Sequence, residues 1–263
     1  MASVDAAAVS MASVDAAAVT RLILASASVA RRRVLIDAGV DPIVVVSGVD
    51  EEAMTASLGD LPPSELALTL ARAKARDVQA RVHTRDVQAR VSTGDEQARD
   101  PDEQQAEADG WRSALGSHAA LEHDHVIVGC DSVFELDGIA YGKPLTAEVA
   151  IERITAMSGR TGHLHTGHWV IRADRQSGRT TTTTVEFAQM RADEIASYVA
   201  TGEPLHVAGA FTLDGRAGPY VRRIDGDPSN VLGISLPTMR ELLDELGVHW
   251  QQLWAPHVPE QGG

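Results

Sequence analysis

The feature that most constrains how this chain can fold is the stretch Val126 to Gly138, VIVGCDSVFELDG. Val126, Ile127 and Val128 form a short apolar run bounded by acidic and histidine-rich sequence. It reads as a buried strand, with a sharp turn after it at Gly129. Asp131 follows at once. Ligand crevices of α/β sheets open where strands end, so a carboxylate on a turn of small residues can present a metal or a water there without a bulky neighbour. An aspartate at a strand end also serves as a plain turn former, with Ser132 helping, and the position taken alone favours that use.

Lysine usage shifts the balance. The chain holds 23 basic residues, of which only Lys74 and Lys143 are lysine. Lys143 lies in YGKP and Lys74 in the alanine-rich LALTLARAKA, both places from which a compact, flexible ammonium can reach a phosphate oxygen. Lys74 would equally suit an exposed helix face. The formal net charge of -14 argues against a nucleic-acid polymer as partner and requires any anion pocket to be built from particular cations. No apolar run approaches the ~20 residues of a membrane helix. Cys130 is the lone cysteine, which excludes an internal disulfide and fits a reducing cytoplasm. On an extended segment its side chain points away from that of Asp131, so it reads as a packed small residue rather than a nucleophile.

In chain order, MASVDAAAVS is followed by MASVDAAAVT, a duplication that makes Met11 an alternative initiator to Met1. Asp5, Asp15 and the lack of a basic front argue against a signal peptide, and residues 1–19 read as an unstructured extension. Leu22, Ile23 and Leu24 form a strand, ASAS a hydroxyl-rich turn, and VARRRVLIDAG a helix stopped by Gly39. Ser26, Ser28, the helix N-terminus and Arg31 together make an anion site, although Ser28 also suits a simple N-cap. A second strand, Ile43 to Val46, leads to Asp50, Glu51 and Glu52, oxygen ligands of the kind that hold magnesium or manganese, or else a solvated acidic loop.

Pro62 to Ala75 reads as a helix capped by Ser64. Residues 76–125 then contain RDVQARVHT, its copy RDVQARVST and an acidic, glutamine-rich run, expected as a partly helical, low-complexity insertion with little surface to bury. His118, His123 and His125 at its end have spacings that suit a metal but more readily sit in solvent. Thr146 caps a helix stopped by Gly159, and two strands follow around the turn DRQSG. Thr161, His165 and Thr166 on the first of them can face a substrate or form ordinary strand surface. A further helix, a glycine-rich stretch and the amphipathic helix LPTMRELLDELG complete a domain over residues 20–249, with residues 250–263 as a tail.

LASASVAR, VDE, ARAKA, GCDSV with GKP, and MSGRTGHLHTG followed by AGAFTLDG and DPSNVLG, taken in this order, resemble the Maf family of nucleoside triphosphate pyrophosphatases. The resemblance runs from Leu22 to Gly247, apart from the insertion. It implies a single α/β, inosine triphosphatase-like domain: an elongated mixed sheet flanked by helices, with a cleft between two lobes. It also implies a homodimer, and divalent-metal-dependent (Mg2+ or Mn2+) hydrolysis of nucleoside triphosphates to monophosphate and pyrophosphate, suited to clearing non-standard nucleotides. By position Asp131 is similar to the family's proton acceptor and, with Glu51, to its metal ligands. Arg31, Lys74 and Lys143 resemble its phosphate-binding cations, with Ser26 and Ser28 on the triphosphate loop and Thr166 and Asp214 among the substrate contacts.

The chain departs from the family pattern in three places. Val29 and Ala30 replace the proline and first arginine of the usual SPRR loop, Asp214 stands where many members have glutamine, and Gly162 stands where many have histidine. These changes leave the preferred base open between uridine or thymidine and methylated guanosine triphosphates. The resemblance also admits a non-catalytic nucleotide-binding regulator of septum formation, which would bind without turnover.

Overall fold

The computed structural model describes residues 20–91 and 125–254. The extension at 1–19, the insertion from 92 to 124 with His118 and His123, and residues 255–263 lie outside the described residues. The elements are β1 Arg21–Leu24, α1 Val29–Asp37, β2 Ile43–Val44, α2 Glu51–Leu58, α3 Pro63–Val91, β3 His125–Leu136 and β4 Ile139–Tyr141. After these come α4 Ala147–Met157, β5 Thr161–Arg172, β6 Arg175–Phe187, α5 Ala192–Ala200, β7 Val221–Asp225, α6 Pro228–Val231 and α7 Leu236–Glu245. Short 3-10 turns occupy the stretch between α5 and β7. Ser28, Asp50, Thr146 and Ser235 each cap a helix through a side-chain oxygen.

Seven strands form one mixed sheet in the order β2-β1-β3-β5-β6-β7, with β4 added to β3. β1 runs parallel to β2 and β3, and the remaining pairs are antiparallel. This is the elongated α/β sheet expected from the sequence. The long strands β3 and β5 pass through two apolar cores. One gathers Leu22, Leu24, Val128 and Cys130 with α1 and α7, and the other gathers Phe134, Leu136 and Val185 with α4 and α5. Asp131 and Ser132 fall between them.

Pairing along one edge of β3 is interrupted at the same place. β1 accompanies β3 only as far as Leu24 opposite Val128, and β4 takes up that edge only from Phe134 opposite Tyr141. Among the described residues, 129–133 therefore have a strand neighbour only on the β5 side. Gly129 does not turn the chain, as the sequence suggested; β3 continues straight through it. Its role is close approach, because a Cβ there would lie 2.1 Å from the Ala71 carbonyl oxygen of α3. One on Gly167, opposite Asp131, would lie 2.3 Å from that of Ala67. Both glycines let α3 press its backbone against the sheet.

Other boundaries differ from the sequence reading. α3 does not stop at Ala75: Val78 and Val82, inside the repeat read as low-complexity, are buried against Ile23, Ile127 and Ile171. An i,i+4 apolar pair suffices to hold that stretch on the sheet. α3 begins at Pro63, so Ser64 lies in its first turn rather than capping it. β2 is shorter than Ile43 to Val46, although the Val45 amide still bonds the Leu24 carbonyl at 3.0 Å. Gln176, Ser177 and Gly178 belong to β6 rather than to the hairpin turn. The first residues of the expected tail are structural, since Leu253 joins the core and Trp254 bridges to Val40. No helix among the described residues is long and apolar enough to cross a membrane.

Candidate active site

Beyond the end of β1 the chain passes the interrupted edge of β3 in the loop Ala25 to Ser28, then starts α1. Ser28 accepts a hydrogen bond from the Arg31 amide at 3.3 Å, and its own amide donates to Ser26 Oγ at 3.2 Å. This folds the loop around Arg31, whose side chain is buried in the first turn of α1. Arg31 Nε donates to the Gly233 carbonyl at 2.7 Å, Nη1 to Ser26 Oγ at 2.9 Å and Nη2 to Ser132 Oγ at 3.1 Å. The guanidinium is thus held by a carbonyl and two hydroxyls and, among the described residues, by no carboxylate. A buried cation without a counter-charge is costly, and an anion brought beside it offsets that cost.

Asp131 and Ser132, as neighbours on one strand, face opposite sides of the sheet. Ser132 Oγ lies 3.0 Å from Thr166 Oγ1, which donates to the Asn230 carbonyl at 3.3 Å. The chain of hydroxyls from Arg31 through Ser132 and Thr166 to Asn230 has one consistent donor direction. Asp131 faces α3 instead, and its Oδ1 accepts from Lys74 Nζ. The same ammonium lies 2.8 Å from Glu51 Oε1, and Glu51 Oε2 lies 2.9 Å from Lys143 Nζ. Four residues from α2, α3, β3 and the loop after β4 therefore make one continuous ion-pair network. Lys74, read as an alternative exposed helix residue, is buried at 5% exposure.

Partial burial of Glu51 acts to raise its pKa, but the charge and hydrogen bond of Lys74, with Lys143 adding to both, outweigh it and hold the carboxyl at about 2. Burial pushes the Cys130 thiol up to about 11, so it is a packed group and no nucleophile. Burial also draws the His168 imidazole down to about 4, and its Nε2 accepts the Ser235 amide at 2.8 Å.

Glu51 and Asp131 suit a hard divalent cation. Both are carboxylates, and both aim an oxygen at one point where a positive charge already sits. Among the described residues no group of three or more His, Cys, Asp or Glu side chains converges, so the remaining oxygens would come from phosphate and water. Asp50 serves as the α2 cap, accepting from the Ala53 amide at 2.9 Å.

The structure thus brings together Ser26, Ser28, Arg31 and Thr166 around one chain of hydrogen bonds, and Glu51, Lys74, Asp131 and Lys143 in the adjoining network. Asp214 is exposed and belongs to neither. His165 has both ring nitrogens engaged, by Glu135 Oε2 at 2.8 Å and Thr182 Oγ1 at 2.8 Å. Ser132, Asn230 and the Gly233 carbonyl are the contributors that sequence reasoning missed. Strand alternation through Asp131 would have shown that Ser132 faces the opposite side; the carbonyls leave no trace in side-chain chemistry.

Residues 21–246 match the family model described as Maf-like protein. A nucleoside triphosphate pyrophosphatase of Streptomyces avermitilis is 46% identical over 231 residues, covering 87% of this chain and 92% of the relative. One from Mycobacterium ulcerans is 41% identical over 234 residues, covering 87% and 94%, and one from Saccharopolyspora erythraea is 44% identical over 237 residues, covering 88% and 95%. A family match across nearly all of the described fold, with relatives this similar along almost their whole length, shows that the chain belongs to the Maf-like protein family.

Proposed function

We propose that the protein hydrolyses nucleoside triphosphates to nucleoside monophosphate and pyrophosphate, with Asp131 as the base that activates water. The observation that carries this reading is the adjacency of two unlike charge arrangements on consecutive residues of β3. Ser132 leads to Arg31, a buried guanidinium without a carboxylate partner among the described residues, and Asp131 leads to the Lys74–Glu51–Lys143 network. The names of the relatives, which are nucleoside triphosphate pyrophosphatases, agree with it.

In this reading Arg31, Ser26 and the α1 N-terminus bind phosphate oxygens, and Lys143, half exposed, reaches the polyphosphate from the loop after β4. Asp131 accepts a proton from a water whose oxygen forms a bond to the α-phosphorus. The bond from that phosphorus to the bridging oxygen breaks, and pyrophosphate leaves with the electron pair. The two lysines and two carboxylates of the network cancel in charge, so a triphosphate needs positive charge beyond what they supply. Glu51 and Asp131 would hold Mg2+ or Mn2+, which when bound neutralises phosphate charge.

The test is a panel of standard and modified nucleoside triphosphates with Mg2+ or Mn2+ and identification of the products. Pyrophosphate with monophosphate is the expected outcome, and Asp131→Asn removes most of it. Release of orthophosphate contradicts the reading, and tight nucleotide binding without turnover, insensitive to Asp131→Asn, would point to a regulator instead.

A further inference from the structure

The position of Lys74 carries a consequence for how the cation enters. Its side chain is 6% exposed, and its ammonium stands between Glu51 Oε1 and Asp131 Oδ1. Magnesium holds its oxygens at about 2.0–2.1 Å, so a cation bound by these same two atoms and the Lys74 ammonium exclude each other by contact and by charge. Glu51 stands in the first turn of α2, which packs against α3 and β3 only through the partly buried Met54 and Leu58, and both of its carboxylate oxygens are paired with lysines. Lys143 offers no substitute, since it binds the other Glu51 oxygen from a half-exposed position.

From this geometry we infer that Lys74 is an internal competitor for the divalent-cation position, one that yields only when a triphosphate offers its ammonium another anionic partner. This rests on the hydrolase reading for the identity of the anion. Lys74 leaves the carboxylate pair and turns to a phosphate oxygen, while the carboxylates it vacates take up the cation. Metal and nucleotide therefore bind with positive coupling, and metal alone binds weakly. The competition also keeps Asp131 tied to Lys74 until substrate arrives.

The experiment is a Mn2+ titration followed by electron paramagnetic resonance, with and without an α,β-methylene nucleoside triphosphate that cannot be cleaved at the α-phosphorus. The wild-type protein should bind Mn2+ at least about tenfold more tightly with the analogue, a difference of about 1.4 kcal/mol. Without analogue, Lys74→Met should bind Mn2+ at least about tenfold more tightly than wild type, and Lys74→Arg, which keeps the charge, should not. Should Lys74→Met lose its far-ultraviolet circular dichroism, Lys74→Gln gives the same comparison with a polar, uncharged side chain. Mn2+ affinity no tighter in the uncharged folded variant than in wild type overturns the inference. The titration involves no turnover, so its failure is separate from failure of the product assay, which alone bears on hydrolysis.

Discussion

Arg31 and Asp131 owe their chemistry to what surrounds them. Arg31 makes three hydrogen bonds in three directions, to Gly233, Ser26 and Ser132, which one planar guanidinium can satisfy together and an ammonium cannot. Arg31→Lys is therefore expected to lower kcat/KM by about 100-fold, measured by pyrophosphate release, on the scale of two lost charge-assisted hydrogen bonds. Asp131→Asn keeps the shape of the side chain but removes its basicity. It should lower kcat by about 10²–10⁴-fold, the usual worth of a positioned general base, with nucleotide affinity by calorimetry changed only a few-fold. The sequence drew attention to both residues: a hydroxyl-rich loop before a helix pointed to Arg31, and the scarcity of lysine tipped Asp131 away from the plain turn former that its position alone favours. Asp214 was named by resemblance alone, and the fold leaves it exposed and apart from the network.

At the scale of elements, the candidate site exists because β3 outlasts β1 and precedes β4, leaving residues 129–133 with an edge that no strand among the described residues pairs. The sequence showed the apolar start of β3 but not its continuation. Gly129, Cys130 and Asp131 are all turn-prone or small, and only tertiary packing reveals that the glycine serves α3. Val78 and Val82 were hidden for a similar reason: a repeat rich in arginine, aspartate and glutamine needs only one apolar residue per turn to line a buried stripe. Gly129→Ala tests the close contact. Its Cβ would meet backbone at 2.1 and 2.8 Å, with no flexible side chain to give way. A loss of about 1–3 kcal/mol in urea unfolding is expected, the usual cost of overpacking. Activity should fall at temperatures where the variant is still folded, because the displaced helix carries Lys74.

At the scale of the whole molecule, a chain of net charge -14 needs a local exception to bind an anion, and the candidate exception, Arg31 with Lys74, adjoins the stretch of β3 between two of its apolar cores. Acid should loosen the fold in two windows. His168 titrates at 6.5 when unfolded and at about 4 when folded, so the unfolded chain binds more protons between these values. Its stabilising contribution is complete above pH 6.5 and is lost as pH falls through about 4. That shift corresponds to on the order of 3 kcal/mol, and His168→Gln should flatten the melting temperature over this range. Glu51, lowered from 4.5 to about 2, adds a second loss below pH 4.5. In the proposed reaction, water primed by Asp131 attacks the α-phosphorus beside the Lys74–Glu51–Lys143 network, and hydrolysis in ¹⁸O-labelled water tests this by mass spectrometry. One labelled oxygen is expected in the nucleoside monophosphate and none in pyrophosphate; label in pyrophosphate, or in released orthophosphate, would rule out attack at the α-phosphorus.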